Sequence, residues 1–468
     1  MANDYASVMS RKGEIMKKSV GIDFAKYESG SIAFDYEKMM SETGYTLEEI
    51  QKIQGAVHVG NTPIIELRNL TALARKYAKK GYGARIFVKD EASNPSGSFK
   101  ARRAAVSVYH AKKHGYKGVI SATSGNYGAA VASQAAMLGL KCIVVQECYD
   151  SKGRGQPEII EKARKCEALG AEVVQLSVGP ELFYKFLLLL EETGYFNASL
   201  YTPFSIAGIE TLGAEISAQF RAKFGRDPDM VVATNAGGGN VTGTARGLIK
   251  AGAKTPVVGA SVSLAGLHMA SDGQFNKKSF TTGHTGFGIP FSSWPDRSDV
   301  PRSAARPLRY MERYVTVAQG SVFYLTEALA SLEGLEKGPA GNTSLAAAFA
   351  LAQDLPEDKM ILVQETEYTG AGKHVQPQLS FAKSNGIEVR FGDPKDEVPG
   401  KNLILPANPG LIKTADVDMN HIRASLIKTA VKTMLPADKT PTEKDIAFLA
   451  EETRANEAFV KEVLKAVE

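Results

Sequence analysis

Between about residues 85 and 390, short runs of apolar and β-branched residues alternate with longer segments whose apolar positions recur at helical spacing. The short runs predict strands over 86–89, 118–122, 142–146, 172–176, 230–234, 256–261 and 360–365. Alanine-rich stretches between them predict helices over 101–114, 127–138 and 157–169. This alternation calls for an α/β fold with a mainly parallel sheet. Runs such as CIVVQ and DMVVAT are apolar at successive positions, as strands covered by helices on both faces require.

Residues 1–55 read as helices, with Thr46 and Glu49 spaced as a capping box ahead of Ile50 and Ile53. The C-terminal stretch reads as helical and strongly charged, Thr442 to Asp445 opening one helix, and is expected to be a solvated appendage. Residues 264–310 carry no regular pattern over a length uncommon for a loop, and such loops tend to be functional.

The chain has 468 residues, 44% hydrophobic and 23% charged, which excludes disordered and collagen-like classes. At roughly 100–200 residues per domain this length suggests several structural units. A net charge of +5 over this much surface does not point to nucleic acid. No apolar stretch reaches the roughly 18 residues of a membrane span, and the N-terminus lacks the apolar region of a secretory signal. Cys142, Cys148 and Cys166 lack metal-ligand spacing, so neither a disulfide framework nor a metal site is expected. A reducing, cytoplasmic setting follows.

Three loops follow a strand and precede a helix, the position where open α/β sheets gather ligands. In the first, Ser93-Asn94-Pro95-Ser96-Gly97-Ser98-Phe99-Lys100, Ser98 is the expected N-cap. Lys100 then falls in the first helical turn, where the macrodipole disfavours a cation and favours the neutral amine that covalent chemistry with an aldehyde needs. A solvated lysine is the plain alternative. The second loop, Thr123-Ser124-Gly125-Asn126-Tyr127-Gly128, places hydroxyls and amides at a helix N-terminus, suited to a carboxylate or phosphate. Asn126 would donate to a phenolate oxygen or simply cap the helix. In the third, Ala236-Gly237-Gly238-Gly239-Asn240-Val241-Thr242-Gly243, three glycines let backbone amides approach a phosphate. Neither the dinucleotide nor the Walker pattern is met, which leaves a cradle for a single cofactor phosphate.

The signature S-x-N-P-S-G-S-F-K, followed one strand later by S-G-N-x-G, resembles the fold-type II pyridoxal-phosphate enzymes, the group of threonine synthase, tryptophan synthase β and cysteine synthase. The likeness runs over about residues 55 to 400. It implies two three-layer α/β/α units around a shared cofactor cleft, with pyridoxal 5′-phosphate as cofactor. The implied division is a helical segment 1–55, a larger unit of 56–105 plus 205–400, a smaller unit 106–204 and a helical appendage 401–468. Lys100 would carry the cofactor covalently, Asn126 would meet the pyridine hydroxyl, and Gly237, Gly238, Gly239, Asn240 and Val241 would bind the phosphate. Thr123, Ser124, Gly125 and Asn126 would receive the substrate carboxylate. The group places a hydroxyl on the pyridine nitrogen, and Thr369, in Thr369-Gly370-Ala371-Gly372-Lys373, or else Thr366, would supply it. The segment from Gly338 to Ser344 also matches the group, where it caps a helix near the cofactor.

Within that group the chain is similar to the 2-amino-4-oxopentanoate thiolase β-subunit family in its N-terminal helices, QECYDSKGRGQPEIIEKARKCEALGAEVVQLSVGPELFY, FTTGHTGFGIPF and QETEYTGAGKH. That likeness implies cleavage of 2-amino-4-oxopentanoate by coenzyme A to acetyl-CoA and alanine, in ornithine degradation. It further implies a small α subunit and an (αβ)₂ assembly. Lys100 would act as general base at Cα, and the oxyanion at C4 would need donors, for which His268 and His284 are candidates. Arg297, Arg302, Arg306 and Arg309 would meet coenzyme A phosphates, or else pair with Asp296, Asp299 and Glu312 or make a subunit contact. Two other readings stand beside this one: a threonine synthase-like lyase acting on O-phosphohomoserine, and a non-catalytic α/β binding protein.

Overall fold

In the computed structural model the apolar runs form strands close to where the sequence puts them. The structure describes residues 3–123, 125–149, 153–155, 157–177, 179, 181–263, 300–368, 375–436 and 438–466. In chain order the strands are β1 (Ile64–Glu66), β2 (Arg85–Asp90), β3 (Gly118–Thr123), β4 (Lys141–Tyr149), β5 (Glu172–Ser177) and β6 (Phe196–Asn197). Then come β7 (Met230–Thr234), β8 (Val257–Val262), β9 (Arg313–Val317), β10 (Met360–Glu365), β11 (Glu388–Gly392), β12 (Asn402–Pro406) and β13 (Ala415–Asp416).

The larger sheet runs β1-β2-β10-β7-β8-β9-β13, parallel inside and antiparallel only at its two edge pairings. The smaller, β5-β4-β3-β6, is parallel throughout. Such sheets need cover on both faces, and strand alternation supplies it. In β10, Ile361 and Val363 enter one apolar cluster while Met360 and Leu362 enter another on the opposite face. Each fully buried aliphatic side chain of this kind contributes about 1.5–3 kcal/mol.

The first face is covered by the helix Asn342–Gln353, buried along its whole length, whose alanines let it lie close to the sheet. The second is covered by the helices Pro203–Phe224 and Gly239–Lys250. These two cross closely, because a Cβ at Gly213 would overlap the Thr244 carbonyl and one at Gly247 the Glu210 carbonyl. The longer begins at a Thr202 cap with proline in its first turn and stops at Gly225 in the left-handed region.

Thr46 and Glu49 form the expected capping box, and so do Thr442 and Asp445. The tail differs from the solvated appendage expected of it. Ile422, Leu426, Ile427, Leu449 and Val460 are buried in the same cluster as Phe34 and Tyr36 near the N-terminus. Asp445 also accepts the backbone amides of Ile32 and Ala33 at 2.7 and 2.8 Å. An apolar stripe beneath a charged surface carries this docking. The three cysteines are buried and unpaired, and burial pushes each thiol up to about 12. Among the described residues no helix is long and apolar enough to cross a membrane.

Candidate active site

Lys100 is fixed by the turn that leads out of β2. Ser96 and Gly97 adopt positive φ, and a Cβ at Gly97 would meet the Tyr368 carbonyl at 2.5 Å. The loop is laced to the segment beyond β10: Tyr368 N donates to Gly97 O at 2.8 Å and Phe99 N to Thr366 O at 3.0 Å. Ser98 is drawn into this pairing, bridging to Glu367 with extended backbone. It therefore does not cap the helix Lys100–Lys113 as expected; Phe99 holds the N-cap position without a side-chain bond. Lys100 remains the first helical residue.

Lys100 Nζ lies 3.1 Å from Glu367 Oε2, and the same oxygen accepts the Asn126 amide. Burial pushes the Lys100 amine below its ordinary value; Glu367 opposes this, and the charges of Lys162 and Arg103 reinforce it. Burial would raise Glu367, but Lys100, Lys162 and Asn126 overcome it and hold the carboxyl ionised. Lys162 sits between two carboxylates, 2.6 Å from Glu158 Oε1 and 4.0 Å from Glu367 Oε1. Its stem fills the space beside Gly125, where φ is +144° and a Cβ would strike the Lys162 chain. The smaller sheet, through Asn126, Glu158 and Lys162, thus meets Lys100 and Glu367 at the carboxyl ends of β2, β3 and β10.

The N-terminus of the helix Asn126–Leu138 has no side-chain cap, while Thr123 Oγ1 accepts Gly125 N at 2.9 Å. A helix start of this kind suits a carboxylate. The glycine loop follows β7. A Cβ at Gly237 would overlap the Tyr201 hydroxyl, and Gly238, at φ +84°, caps the helix Gly239–Lys250 without a side chain. A Cβ at Gly239 would lie 2.6 Å from Arg103 Nη2. Asn240 and Val241 are buried in the first turn, with Asn240 Oδ1 unpartnered.

These residues fit pyridoxal 5′-phosphate. A buried amine held toward its neutral form suits an aldehyde. Two donors converging on one anionic oxygen suit a phenolate, and an uncapped helix start behind three glycines suits a phosphate ester. Lys100, Asn126 and the residues from Gly237 to Val241 would hold those three parts respectively.

Other expectations fall differently. Ser124, His268, His284, Arg297 and Thr369 lie outside the described residues. Thr366 is buried beside Glu367. Arg306 is 7% exposed and engaged by Glu452, with Glu37 Oε1 at 3.0 Å. Arg302 donates to Ile32 O at 3.1 Å and lies 3.8 Å from Glu28, and Arg309 pairs with Glu451. These guanidiniums are paired within the fold through Glu28, Glu37, Glu451 and Glu452; of the acidic neighbours expected for them, Glu312 pairs with Arg454, and Asp296 and Asp299 lie outside the described residues. A coenzyme A phosphate at Arg306 would have to displace a buried carboxylate. Glu367, Glu158, Lys162 and Arg103 are absent from the sequence reading. The one signal for Glu367 was its place just beyond the last inner strand.

Comparison with known proteins agrees with this geometry. Residues 56–366 match the family described as "Pyridoxal-phosphate dependent enzyme". The 2-amino-4-ketopentanoate thiolase beta subunit of Acetoanaerobium sticklandii is 73% identical over 99% of this chain and 98% of its own. A protein of the same name from an unknown prokaryotic organism is 63% identical over 99% of both chains. Among solved structures, the threonine deaminase of T.th. superposes with a TM-score of 0.53 at 26% identity, over 69% of this chain and 98% of that one. The chain belongs to the pyridoxal-phosphate dependent enzymes.

Proposed function

We propose that this chain is the cofactor-carrying subunit of a thiolase that cleaves 2-amino-4-oxopentanoate with coenzyme A to acetyl-CoA and alanine, a step of ornithine breakdown. The observation that carries this reading is 73% identity, end to end, with a protein named for that activity. In net terms the S–C4 bond forms as the C3–C4 bond breaks. The electron pair goes to C3, which gains a proton while the thiol loses one. Pyridoxal 5′-phosphate, when bound, supplies the electron sink for the charge that develops.

The chain's own residues do the rest. Lys100, its amine held below the ordinary value, takes and returns the proton at Cα. Glu367, ionised and 3.1 Å away, sets how readily that amine is protonated. Thr123, Gly125 and Asn126, with Ser124, hold the substrate carboxylate at their helix start. Thr369 or Thr366 supplies the hydroxyl for the pyridine nitrogen. A small α subunit completes the enzyme, consistent with relatives named as beta subunits. Three buried, unpaired thiols fit a cytoplasmic setting.

Co-expression with a small candidate subunit tests the reading. Purified complex should form acetyl-CoA and alanine in equal amounts from 2-amino-4-oxopentanoate and coenzyme A. Release of phosphate from O-phosphohomoserine without thioester formation would replace it with the threonine synthase-like reading.

A further inference from the structure

Among the described residues, Arg103 is a buried cation with no carboxylate paired to it. It keeps 3% of its surface exposed. Nη1 donates to Leu200 O at 3.3 Å, Nε has no partner, and among the described residues no carboxylate pairs with it. The Phe99 ring lies 5.2 Å from Cζ, and Tyr201 and Tyr127 also interact electrostatically with the guanidinium. The remaining buried arginines differ. Arg102, Arg246, Arg302 and Arg306 each stand beside a carboxylate. An unpaired charge in such a place is strongly destabilising unless a counter-ion arrives.

The guanidinium also has a direction. Nη2 would lie 2.6 Å from a Cβ at Gly239, so it packs on the first residue of the helix Gly239–Lys250. That helix start has no side-chain cap, and its amides carry the positive end of the dipole. Position 103 lies three residues after Lys100 on one helix, so both side chains project from a shared face.

We infer that Arg103 gives the glycine cup its formal positive charge, and that cup and guanidinium together bind a phosphate monoester dianion, the 5′-phosphate of the cofactor. This rests on reading that cup as the cofactor's phosphate site. Backbone dipoles alone leave a dianion under-compensated in a buried site, and a guanidinium fork matches phosphate oxygens. The same charge, added to that of Lys162, helps push the Lys100 amine below its ordinary value.

The test uses full-length apoprotein with Arg103→Gln and Arg103→Lys, titrated with pyridoxal phosphate, pyridoxal and inorganic phosphate. Uptake is followed by visible absorbance and by thermal unfolding. Arg103→Gln should weaken pyridoxal phosphate by about tenfold to a hundredfold, the worth of one charge-assisted bond. It should leave pyridoxal unchanged and abolish protection by inorganic phosphate. Equal affinity of wild type and Arg103→Gln for pyridoxal phosphate overturns the inference, as does equal loss for pyridoxal. If Arg103→Gln does not fold, Arg103→Lys decides: its bound cofactor should show a displaced phosphorus resonance, and an unmoved one overturns the inference. Wild-type protein that takes up no pyridoxal phosphate would sink the cofactor reading itself, a distinguishable result.

Discussion

Glu367 Oε2 stands 3.1 Å from Lys100 Nζ across 267 residues of sequence. The pair is a balance: burial drives the amine toward neutrality and the carboxylate pulls it back. Glu367→Gln removes the pull, so Lys100 should lose its proton at lower pH. Covalent uptake of added cofactor, followed by visible absorbance, should then reach half-maximal rate at a lower pH than in wild type. Turnover should fall by about a hundredfold, the scale of a lost acid–base partner. An unmoved pH midpoint would show that Glu367 exerts no field on the amine.

Gly237 has no room for a methyl group, since a Cβ would overlap the Tyr201 hydroxyl. Overpacking of this kind costs about 1–3 kcal/mol. Gly237→Ala should therefore weaken cofactor binding by roughly tenfold. Adding Tyr201→Phe removes the colliding oxygen and should restore part of it. Unchanged affinity in the single variant would mean that Tyr201 yields without cost.

Arg306 is tied to the docked tail through Glu452 and to the N-terminal segment through Glu37. Its backbone amide also donates to Thr242 Oγ1 at 2.9 Å, on the helix that carries the glycine loop. Glu452→Gln leaves a buried guanidinium short of one carboxylate and should cost about 3 kcal/mol, read as a lower melting temperature. Arg306→Lys should likewise lower the melting temperature while KM for coenzyme A stays within about twofold, a free-energy change of under 1 kcal/mol. A raised KM with unchanged melting would return Arg306 to the coenzyme A site.

Much of this was legible in the sequence, and the illegible part has one cause. Strands such as Met230–Thr234 and Met360–Glu365 follow directly from continuous apolar runs, because burial on both faces leaves no other pattern. Lys100 and the glycine loop were legible because each uses backbone geometry written in contiguous residues. Ser98 misled because its pairing partner, Glu367, lies far along the chain. Glu158, Lys162 and Arg103 stand in helical stretches that carry no local signature, and only the approach of the two sheets brings Lys162 to Glu367. The tail misled for a related reason: the apolar stripe of its helices is sparse, and Asp445 finds Ile32 and Ala33 more than four hundred positions away.

His110 offers a prediction away from the site. Its ring stacks 3.9 Å from Phe204 and 4.2 Å from His114, and Nδ1 lies 3.0 Å from the Tyr45 hydroxyl. Burial, then the charges of His114 and Lys113, pushes it from 6.5 down to about 4. Between those values the unfolded chain binds a proton that the fold refuses, so stability falls as pH drops through 6.5 and levels off near 4. The ring is partly exposed, and after allowing for screening the loss amounts to about 1–2 kcal/mol. His110→Gln removes this titration. Its melting temperature should therefore decline less steeply than that of wild type between pH 6.5 and about 4, and parallel curves would show that His110 is protonated as readily in the fold as outside it.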